Sequence, residues 1–396
     1  MDESTLLPPD PLSDELDAFI ADRHLPDRGR ELDREPSFPR TEFEAMGSGG
    51  WLGLTVPGKL GGRALPLPRA GALLYRLAYR SGTAFAKLSL QPEFSSVLRD
   101  VGSAAQVEEW FRPLVQGERL VGNQITEASA GSDVMALRLQ ARRDRSGYLL
   151  TGEKTEVAFS EDADAAIVYG RVTGAAGGAA DGVTAFLVSQ KSPGLRRTRV
   201  GTDLGERWQR RGTVTYRDVR VPLDARLGEE GEGFEYVRPE LTRERTLLAM
   251  IYLGVARASW AETVRHVGER VAFGKHLANN EAVAFPLVED GAHLDAAGLF
   301  VQRTLERLEA EEEVDADAAL SKWMGTEVAL TVLDHAIQFH GGRGYSNTLP
   351  HEQRWRDVRS GMIAHGSSEI MHLLAARRLW PKGPTASRGS QEKEGR

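Results

Sequence analysis

Two side chains that could move a proton stand far apart in this sequence. Glu244 lies in LTRERTLLAMIYLGV, where apolar residues recur at helical spacing, and one helix face carries Glu244, Leu248, Ile251 and Val255. A carboxyl group that continues an apolar stripe is partly removed from water, which raises its pKa and suits it to act as a general base. The alternative is a glutamate in the first turn of a helix, where the helix dipole favours negative charge.

The other side chain is His365, in MIAHGSSEI at 362–370, just ahead of the last predicted helix. By itself, a histidine in such a turn is either a solvated residue or a catalytic group, and the rest of the chain must decide between them.

A third candidate is the loop GNQITEASAGSDV at 122–134. Its short side chains, hydroxyls and glycine let backbone N–H groups approach a flat polar ligand closely. Most loops of this composition are simple turns, so both interpretations stay open here.

Composition excludes several classes of protein. Of the 396 residues, 41% are hydrophobic and 27% charged, which is ordinary globular usage, and the length suggests two or three domains or one large module. A net charge of -7 without a Lys/Arg-rich run argues against a nucleic-acid partner. The chain has no cysteine, which excludes disulfides and thiolate chemistry, and we predict no metal site.

The N-terminal sequence MDESTLLPPDPLSDE is acidic and contains prolines, unlike a signal or transit peptide. No apolar run approaches the roughly 18 residues that a membrane span needs. We therefore expect a soluble, cytoplasmic protein.

The periodicity of apolar residues divides the chain into three zones. Helical spacing up to about residue 120 is clearest in LSDELDAFIADRHL, AGALLYRLAYRSGTAFAKL and AAQVEEWFRPLV, with WLGLTVPGKLGG as a loop. Short runs rich in Val, Thr and Tyr then predict strands in YLLTG, AAIVYG, VTAFLVS, RRTRV and TVTYRDVRV, with a flexible connection at 174–182. From about residue 236, long helical segments return, the first of them reaching Phe273.

This order predicts an α+β fold, because strands and helices do not alternate as in a doubly wound sheet. We predict an N-terminal helical domain at 1–122, a middle antiparallel β-domain at 123–229, a C-terminal helical bundle at 230–380 and a disordered tail at 381–396. The glycines of HGGRGYS follow a helix, so the dinucleotide-fold fingerprint does not apply.

Five segments in this order and spacing resemble the acyl-CoA dehydrogenase family: ITEASAGSD, GYLLTGEKTEV, GERVAFGKHL, QFHGGRGYS and RWRDVRSGMIAHGSSEIMHLLAARRL. The resemblance covers about residues 12 to 380. It implies a C-terminal four-helix bundle, FAD between the β-domain and the bundle, and assembly as a homodimer or homotetramer. In the reaction it implies, a carboxylate takes the α proton of an acyl thioester and the β hydride goes to flavin N5.

The resemblance also implies which residues bind FAD. Arg270 and Phe273 would hold the pyrophosphate and adenine part from the partner subunit, and an arginine suits pyrophosphate because its planar fork donates to paired oxygens. The implied cofactor residues are Ile125, Thr126 and Ser132 of the loop, Ala158, Arg270, Phe273, Gln338, Gly341, Gly342, Ser367 and Glu369.

The sequence departs from the family pattern at the catalytic position. Many members carry the catalytic glutamate directly before the glycine of HGSSE, where this chain has His365. Isovaleryl- and long-chain-type members carry it instead in Leu-x-x-Glu-Arg, which LTRER matches with Leu241, Glu244 and Arg245. We therefore predict Glu244 as the base, with the backbone N–H of His365 polarising the thioester carbonyl.

A second departure is GEKTEVAFS, where Glu156 and Ala158 replace the tryptophan and threonine that relatives place against the flavin. Neither usual group is available, so the redox tuning of the flavin that the resemblance implies is not carried over to this chain.

The leading hypothesis is an FAD-dependent dehydrogenase of an acyl thioester carried by CoA or a carrier protein, with electron-transfer flavoprotein or another acceptor as partner. The first alternative is a flavin-dependent monooxygenase or oxidase on the same fold. The second is a non-catalytic homologue that binds a thioester.

Overall fold

A computed structural model of the protein describes residues 11–173, 182–199 and 201–380. The predicted tail at 381–396, and all of the predicted connection at 174–182 except its last residue, lie outside the described residues. Within the described ranges, helices are followed by strands and then by helices again, which is the predicted α+β order. No described helix is long and apolar enough to cross a membrane.

The N-terminal part folds into short helices, namely α1 (Pro11–Asp22), α2 (Leu25–Arg34), α3 (Arg40–Ser48), α4 (Leu67–Ser81), α5 (Thr83–Ser89), α6 (Ser96–Val101), α7 (Ala104–Gln106) and α8 (Arg112–Val115). The predicted helix LSDELDAFIADRHL ends at Asp22, and the segment AGALLYRLAYRSGTAFAKL, predicted as a single helix, is divided. His24, with a left-handed φ of 48°, separates α1 from α2. Gly82, with φ 83° and ψ -164°, separates α4 from α5, and glycine adopts this conformation without steric cost.

The middle part forms, within the described residues, one eight-stranded sheet of β1 (Val121–Gln124), β2 (Gln140–Asp144), β3 (Gly147–Val157), β4 (Ala165–Thr173), β5 (Thr184–Ser189), β6 (Leu195–Arg199), β7 (Gly212–Pro222) and β8 (Arg226–Leu227). The strand order is β6-β7-β3-β2-β4-β5-β8, with β1 beside β4. The sheet is mixed rather than wholly antiparallel, since β4 runs parallel to β1 and β2. The reason is that β2 and β3 form a hairpin, and β4 then returns in the direction of β2 and pairs with it.

The C-terminal part consists of α9 (Gly233–Glu269), the hairpin strands β9 (Val271–Ala272) and β10 (Lys275–His276), α10 (Glu281–Glu309), α11 (Asp315–His340), α12 (His351–Arg359) and α13 (Ser368–Leu379). Helix α11 packs against α9, α10 and α13. The long predicted helix ends at Glu269, because Arg270 is extended, with φ -72° and ψ 123°. Phe273 and Gly274, with φ values of 53° and 78°, form the turn of the hairpin that follows. The short α12 escapes prediction because HEQRWRDVR is charged at most positions.

One large hydrophobic core joins the three parts, and α9 runs through it. The sheet presents alternate residues of β4 to this core, among them Ile167 and Tyr169, while Ala166 and Val168 point into a second cluster on the other face. Helix α9 packs on α4 on one side and on α11 on the other. Side chains of α9 therefore sit where the N-terminal helices, the sheet and the C-terminal helices meet.

Gly254 lets α9 approach α4 closely. A Cβ at this position would lie 2.3 Å from the carbonyl oxygen of Tyr75. We therefore expect Gly254→Ala to destabilise the protein by about 1–3 kcal/mol through overpacking, although alanine is the better helix former. Thermal unfolding of the purified protein measures this.

Gly268→Ala is the matched control on the same helix, because a Cβ there meets nothing within 4 Å. Its expected effect is a gain of up to about 1 kcal/mol. Equal unfolding temperatures for the two variants would contradict the close α4–α9 contact.

Candidate active site

Glu244 lies well inside α9, which begins at Gly233, so the alternative of a first-turn glutamate is excluded. Its side chain is only 2% exposed. Leu248, Ile251 and Val255, predicted on the same face, are fully buried. The carboxyl group therefore stands at the end of a buried apolar stripe, as the spacing indicates.

His365 meets Glu244 across the fold. Its Nδ1 lies 2.9 Å from Oε2 of Glu244, although the two residues are 121 positions apart. Phe94 stacks on the imidazole with ring centroids 5.2 Å apart. The side chain of His365 is 26% exposed, so one edge of the ring remains accessible while Nδ1 faces the carboxyl group.

The turn that carries His365 is held by two basic side chains from neighbouring helices. Arg245 Nε donates to the carbonyl oxygen of His365 at 3.0 Å, and Lys322 Nζ donates to that of Gly366. His365 and Gly366 have φ values of 56° and 96°, so this clamp stabilises a left-handed turn. In the described part of the chain, the N–H of His365 has no acceptor and remains able to donate to a ligand.

The surroundings shift the pKa values of both groups. Burial raises the pKa of Glu244 to about 8, a shift that Glu93 increases and that Arg245 and Arg243 oppose. Burial, together with the charges of Lys87, Lys322 and Arg245, lowers the pKa of His365 below its usual value. The imidazole is therefore neutral at neutral pH, while Glu244 becomes ionised only as the pH rises towards 8.

The Thr/Ser/Gly loop at 122–134 begins in β1 and is braced by a buried ion pair. Lys154 Nζ, on β3, lies 2.8 Å from the Glu127 carboxylate and donates to the carbonyl oxygen of Ile125. The same carboxylate accepts the backbone N–H groups of Arg138 and Leu139. The ion pair therefore fixes the backbone of the loop that carries the implied cofactor residues.

Sequence reasoning missed this ion pair. A lysine in the middle of the strand GYLLTGEKTEV, where it must be buried, is the signal that could have found it.

The unusual Glu156 has a structural partner. Its carboxylate lies 3.2 Å from the Arg211 guanidinium, which also binds Asp203. Glu156 has a φ of 56° and lies at the register shift between Lys154 and Val157 in the pairing of β3 with β7, just before the half-buried Ala158. The glutamate is therefore explained by Arg211, while nothing in the structure explains the missing hydroxyl at Ala158.

The remaining implied cofactor residues lie at two other places. Ser367 caps α13 and Glu369 follows it, close to the His365 turn. Arg270 and Phe273 lie in the hairpin after α9, and Gln338, Gly341 and Gly342 lie at the end of α11. Stacking of His266 on His340, with centroids 4.2 Å apart, brings these two helix ends together.

The hairpin after α9 and the end of α11 fit the adenosine and pyrophosphate part of FAD. Phe273 is fully exposed, and a Cβ on Gly341 or Gly342 would meet nothing within 4 Å. An exposed aromatic ring, an exposed Arg270 and open glycine backbone can stack on an adenine and donate to phosphates.

Known proteins of similar sequence and structure share this architecture. The chain is 30% identical over 366 residues to the human short-chain specific acyl-CoA dehydrogenase, covering 91% of this chain and 87% of that protein. It is 28% identical over 353 residues to the CarC subunit of the caffeyl-CoA reductase-Etf complex of Acetobacterium woodii, covering 89% and 93%. The structure of butyryl-CoA dehydrogenase from Megasphaera elsdenii superposes with a TM-score of 0.85 at 26% identity, covering 96% and 98%.

Family models match nearly all of the chain in the expected order. The N-terminal, middle and C-terminal domains of acyl-CoA dehydrogenase match residues 11–118, 122–219 and 231–380. The predicted resemblance, fold class and FAD cofactor are confirmed. The chain belongs to the acyl-CoA dehydrogenase family, flavoprotein oxidoreductases that act on the CH–CH groups of acyl thioesters.

Proposed function

We propose that Glu244 is the base with which this enzyme dehydrogenates an acyl thioester at its α and β carbons. The observation that carries the proposal is the contact between the buried Glu244 carboxyl group and His365, in the turn where many relatives place the base. Because α9 brings Glu244 to that turn from the opposite side, its carboxylate can approach the same α carbon.

The residues of this chain would divide the chemistry between them. Glu244 takes the α proton, and the free N–H of His365 donates to the thioester carbonyl, which stabilises the developing enolate. Arg245 and Lys322 fix that N–H through their bonds to the turn. The flavin, when bound, supplies the acceptor for the β hydrogen.

The imidazole of His365 would orient the base. A neutral imidazole can donate its Nδ1–H to the ionised carboxylate of Glu244, and burial favours this neutral form. The ring therefore holds one oxygen of Glu244 and leaves the other for the substrate. We assign His365 as a positioning side chain with a substrate-binding backbone N–H.

We also propose that each FAD is shared between two subunits. Arg270 follows Glu244 by 26 residues at the end of α9, which corresponds to ~39 Å along a helix. This distance exceeds the length of an FAD molecule, so Arg270 cannot serve the flavin beside Glu244 of its own chain. The arrangement favours a homodimer or homotetramer in which Arg270, Phe273 and Gln338 serve the partner's cofactor.

We further propose CoA as the carrier of the substrate acyl group and electron-transfer flavoprotein as the electron acceptor. Relatives named for CoA thioesters support CoA rather than a carrier protein. The name of the Acetobacterium woodii relative, a subunit of a complex with Etf, supports electron-transfer flavoprotein as the acceptor. We also propose a cytoplasmic location.

Replacing the base tests the central assignment. Glu244→Gln keeps the shape of the side chain and removes the proton acceptor. We expect flavin reduction by a panel of acyl-CoA thioesters, followed anaerobically by absorbance, to fall by more than about 10²–10⁴-fold while FAD stays bound. Glu235→Gln, which changes an exposed carboxylate of the same helix, is the control.

His365→Ala removes one hydrogen bond to Glu244 and keeps the backbone N–H. We expect flavin reduction to fall only about 10- to 100-fold, as for the loss of a bond to a charged group. An inactive His365→Ala protein together with an active Glu244→Gln protein would refute the assignment. That outcome would favour the oxygen-using alternative.

The pH dependence follows from the raised pKa of Glu244. Its ionised form, which is the active base, increases as the pH rises towards about 8. The rate of flavin reduction should therefore increase about tenfold per pH unit below 8 and level off above it. Stopped-flow measurements between pH 6 and 9 check this, and a flat profile would contradict it.

Arg270→Ala tests the shared cofactor. We expect lower FAD occupancy, from the ratio of flavin to protein absorbance, and weaker subunit association by light scattering. Arg265→Ala removes another exposed arginine near the end of α9 and should change neither. A stable monomer with full FAD occupancy would overturn the proposal.

A further inference from the structure

A second carboxyl group, that of Glu240, is buried one helical turn before Glu244 on α9. It is 1% exposed. Its Oε2 accepts the Ser96 hydroxyl at 3.1 Å and the Val97 N–H at 3.0 Å, and its Oε1 accepts Asn123 Nδ2 at 3.0 Å. Glu240 thus ties α9 to α6 and β1, which lie on either side of it.

Glu240 has no cation to neutralise it. In the described part of the chain, no lysine or arginine forms an ion pair with its carboxyl group. Arg243, the nearest candidate on α9, donates instead to Glu93, Ser96 and Asp100. An ionised Glu240 would therefore be a buried charge stabilised by neutral hydrogen-bond donors and a distant guanidinium alone, which is costly.

Glu240 and Glu244 lie four residues apart on α9, so their side chains are neighbours on one face of the helix, and both are buried. Two buried carboxylates at this separation repel each other, so the pair keeps one proton over a wide pH range. Burial raises the pKa of Glu240 well above its usual range, and the neighbouring charge of Glu244 raises it further. Burial raises the pKa of Glu244 to about 8, and this rise is opposed by Arg245, by Arg243 and, as the smallest effect, by a hydrogen bond from Glu240.

We propose that Glu240 is a positioning residue that stays protonated and donates a hydrogen bond to the ionised carboxylate of Glu244. In this form, Oε2 of Glu240 accepts from Ser96 and Val97, and the O–H on Oε1 points at Glu244. His365 binds Oε2 of the same carboxylate. This inference rests on the proposed role of Glu244 as the base and adds Glu240 as the residue that positions its carboxylate.

Other charged or titratable groups also face the pair. From the N-terminal part comes Glu93, which raises the pKa of Glu244; from α9 come Arg243 and Arg245, which lower it. From β4 comes Tyr169, whose own pKa is raised by burial and by both glutamates. None of these groups forms a hydrogen bond to Glu240 among the described residues, so the bond between the two carboxyl groups is the interaction to test.

The first test is the pH profile of anaerobic flavin reduction by the acyl-CoA thioester that reduces the wild-type holoenzyme fastest. Glu240→Gln keeps a donor towards Glu244, so we expect the same apparent pKa and a rate within about tenfold of wild type. Glu240→Leu removes the donor, so we expect the apparent pKa to rise by about one unit or more and the rate at pH 7 to fall at least tenfold.

Two outcomes would overturn the proposal. One is an unchanged apparent pKa in Glu240→Leu. The other is an apparent pKa lowered by more than one unit in Glu240→Gln, which would show that Glu240 carries a negative charge in the active form. If Glu240→Leu does not fold or does not bind FAD, the profile of Glu240→Gln decides alone.

The second test does not depend on activity. Infrared spectra of the holoenzyme at pH 9 should contain the C=O stretch of a buried protonated carboxyl group. We expect this band in wild type and in Glu244→Gln, and its absence in Glu240→Gln. A band that persists in Glu240→Gln would contradict the proposal, whereas an active Glu244→Gln protein would instead contradict the assignment of the base.

Discussion

The burial of the Glu244 carboxyl group inside α9 is the constraint on which the rest of the site depends. A carboxyl group in such a position binds its proton more tightly than in water, so its neighbours decide when it becomes a base. His365 binds one of its oxygens at 2.9 Å, and Arg245 and Lys322 fix the turn from which the imidazole projects. The contacts that shape the base thus come from two C-terminal helices and the turn before α13.

Helix α9 also places Glu244 far from Arg270, one of the residues implied to bind FAD. Glu244 lies near the beginning of α9, where the sheet and the N-terminal helices surround it, whereas Arg270 follows its last residue. The stacked His266 and His340 join the end of α9 to the glycines after α11. In the proposed assembly, one long helix would present the base to its own active site and an anion-binding end to a neighbour, which would couple assembly to cofactor binding.

Local patterns in the sequence predicted the fold class, and helical spacing identified the buried face of α9. That Glu244 and the His365 turn serve one site was implied by the resemblance of LTRER and HGSSE to the family, not by any local pattern. The hairpin at Arg270 could not be predicted, because RVAF continues the apolar pattern of the helix before it. The parallel pairing of β4 with β2 could not be predicted either, because the periodicity of apolar residues does not show which strands become neighbours in the sheet.

The residues around the base were also hidden from sequence reasoning, for a related reason. In the sequence, Glu240 is one of several charged residues in ELTRER, and Lys322 is a lysine in ALSKWM. Only in the folded structure are both side chains buried, by segments that are distant in the sequence. Their partners, Val97 and Gly366, contribute backbone groups that no residue pattern identifies.

The most direct test of the central claim is exchange of the substrate α proton with solvent. The holoenzyme is incubated anaerobically in D₂O with a non-oxidisable acyl-CoA analogue, and loss of the α-proton signal is followed by NMR. We expect washout by wild type, slower but measurable washout by His365→Ala, and none above background by Glu244→Gln. Washout by Glu244→Gln at the wild-type rate would contradict the claim that this buried carboxylate takes the α proton.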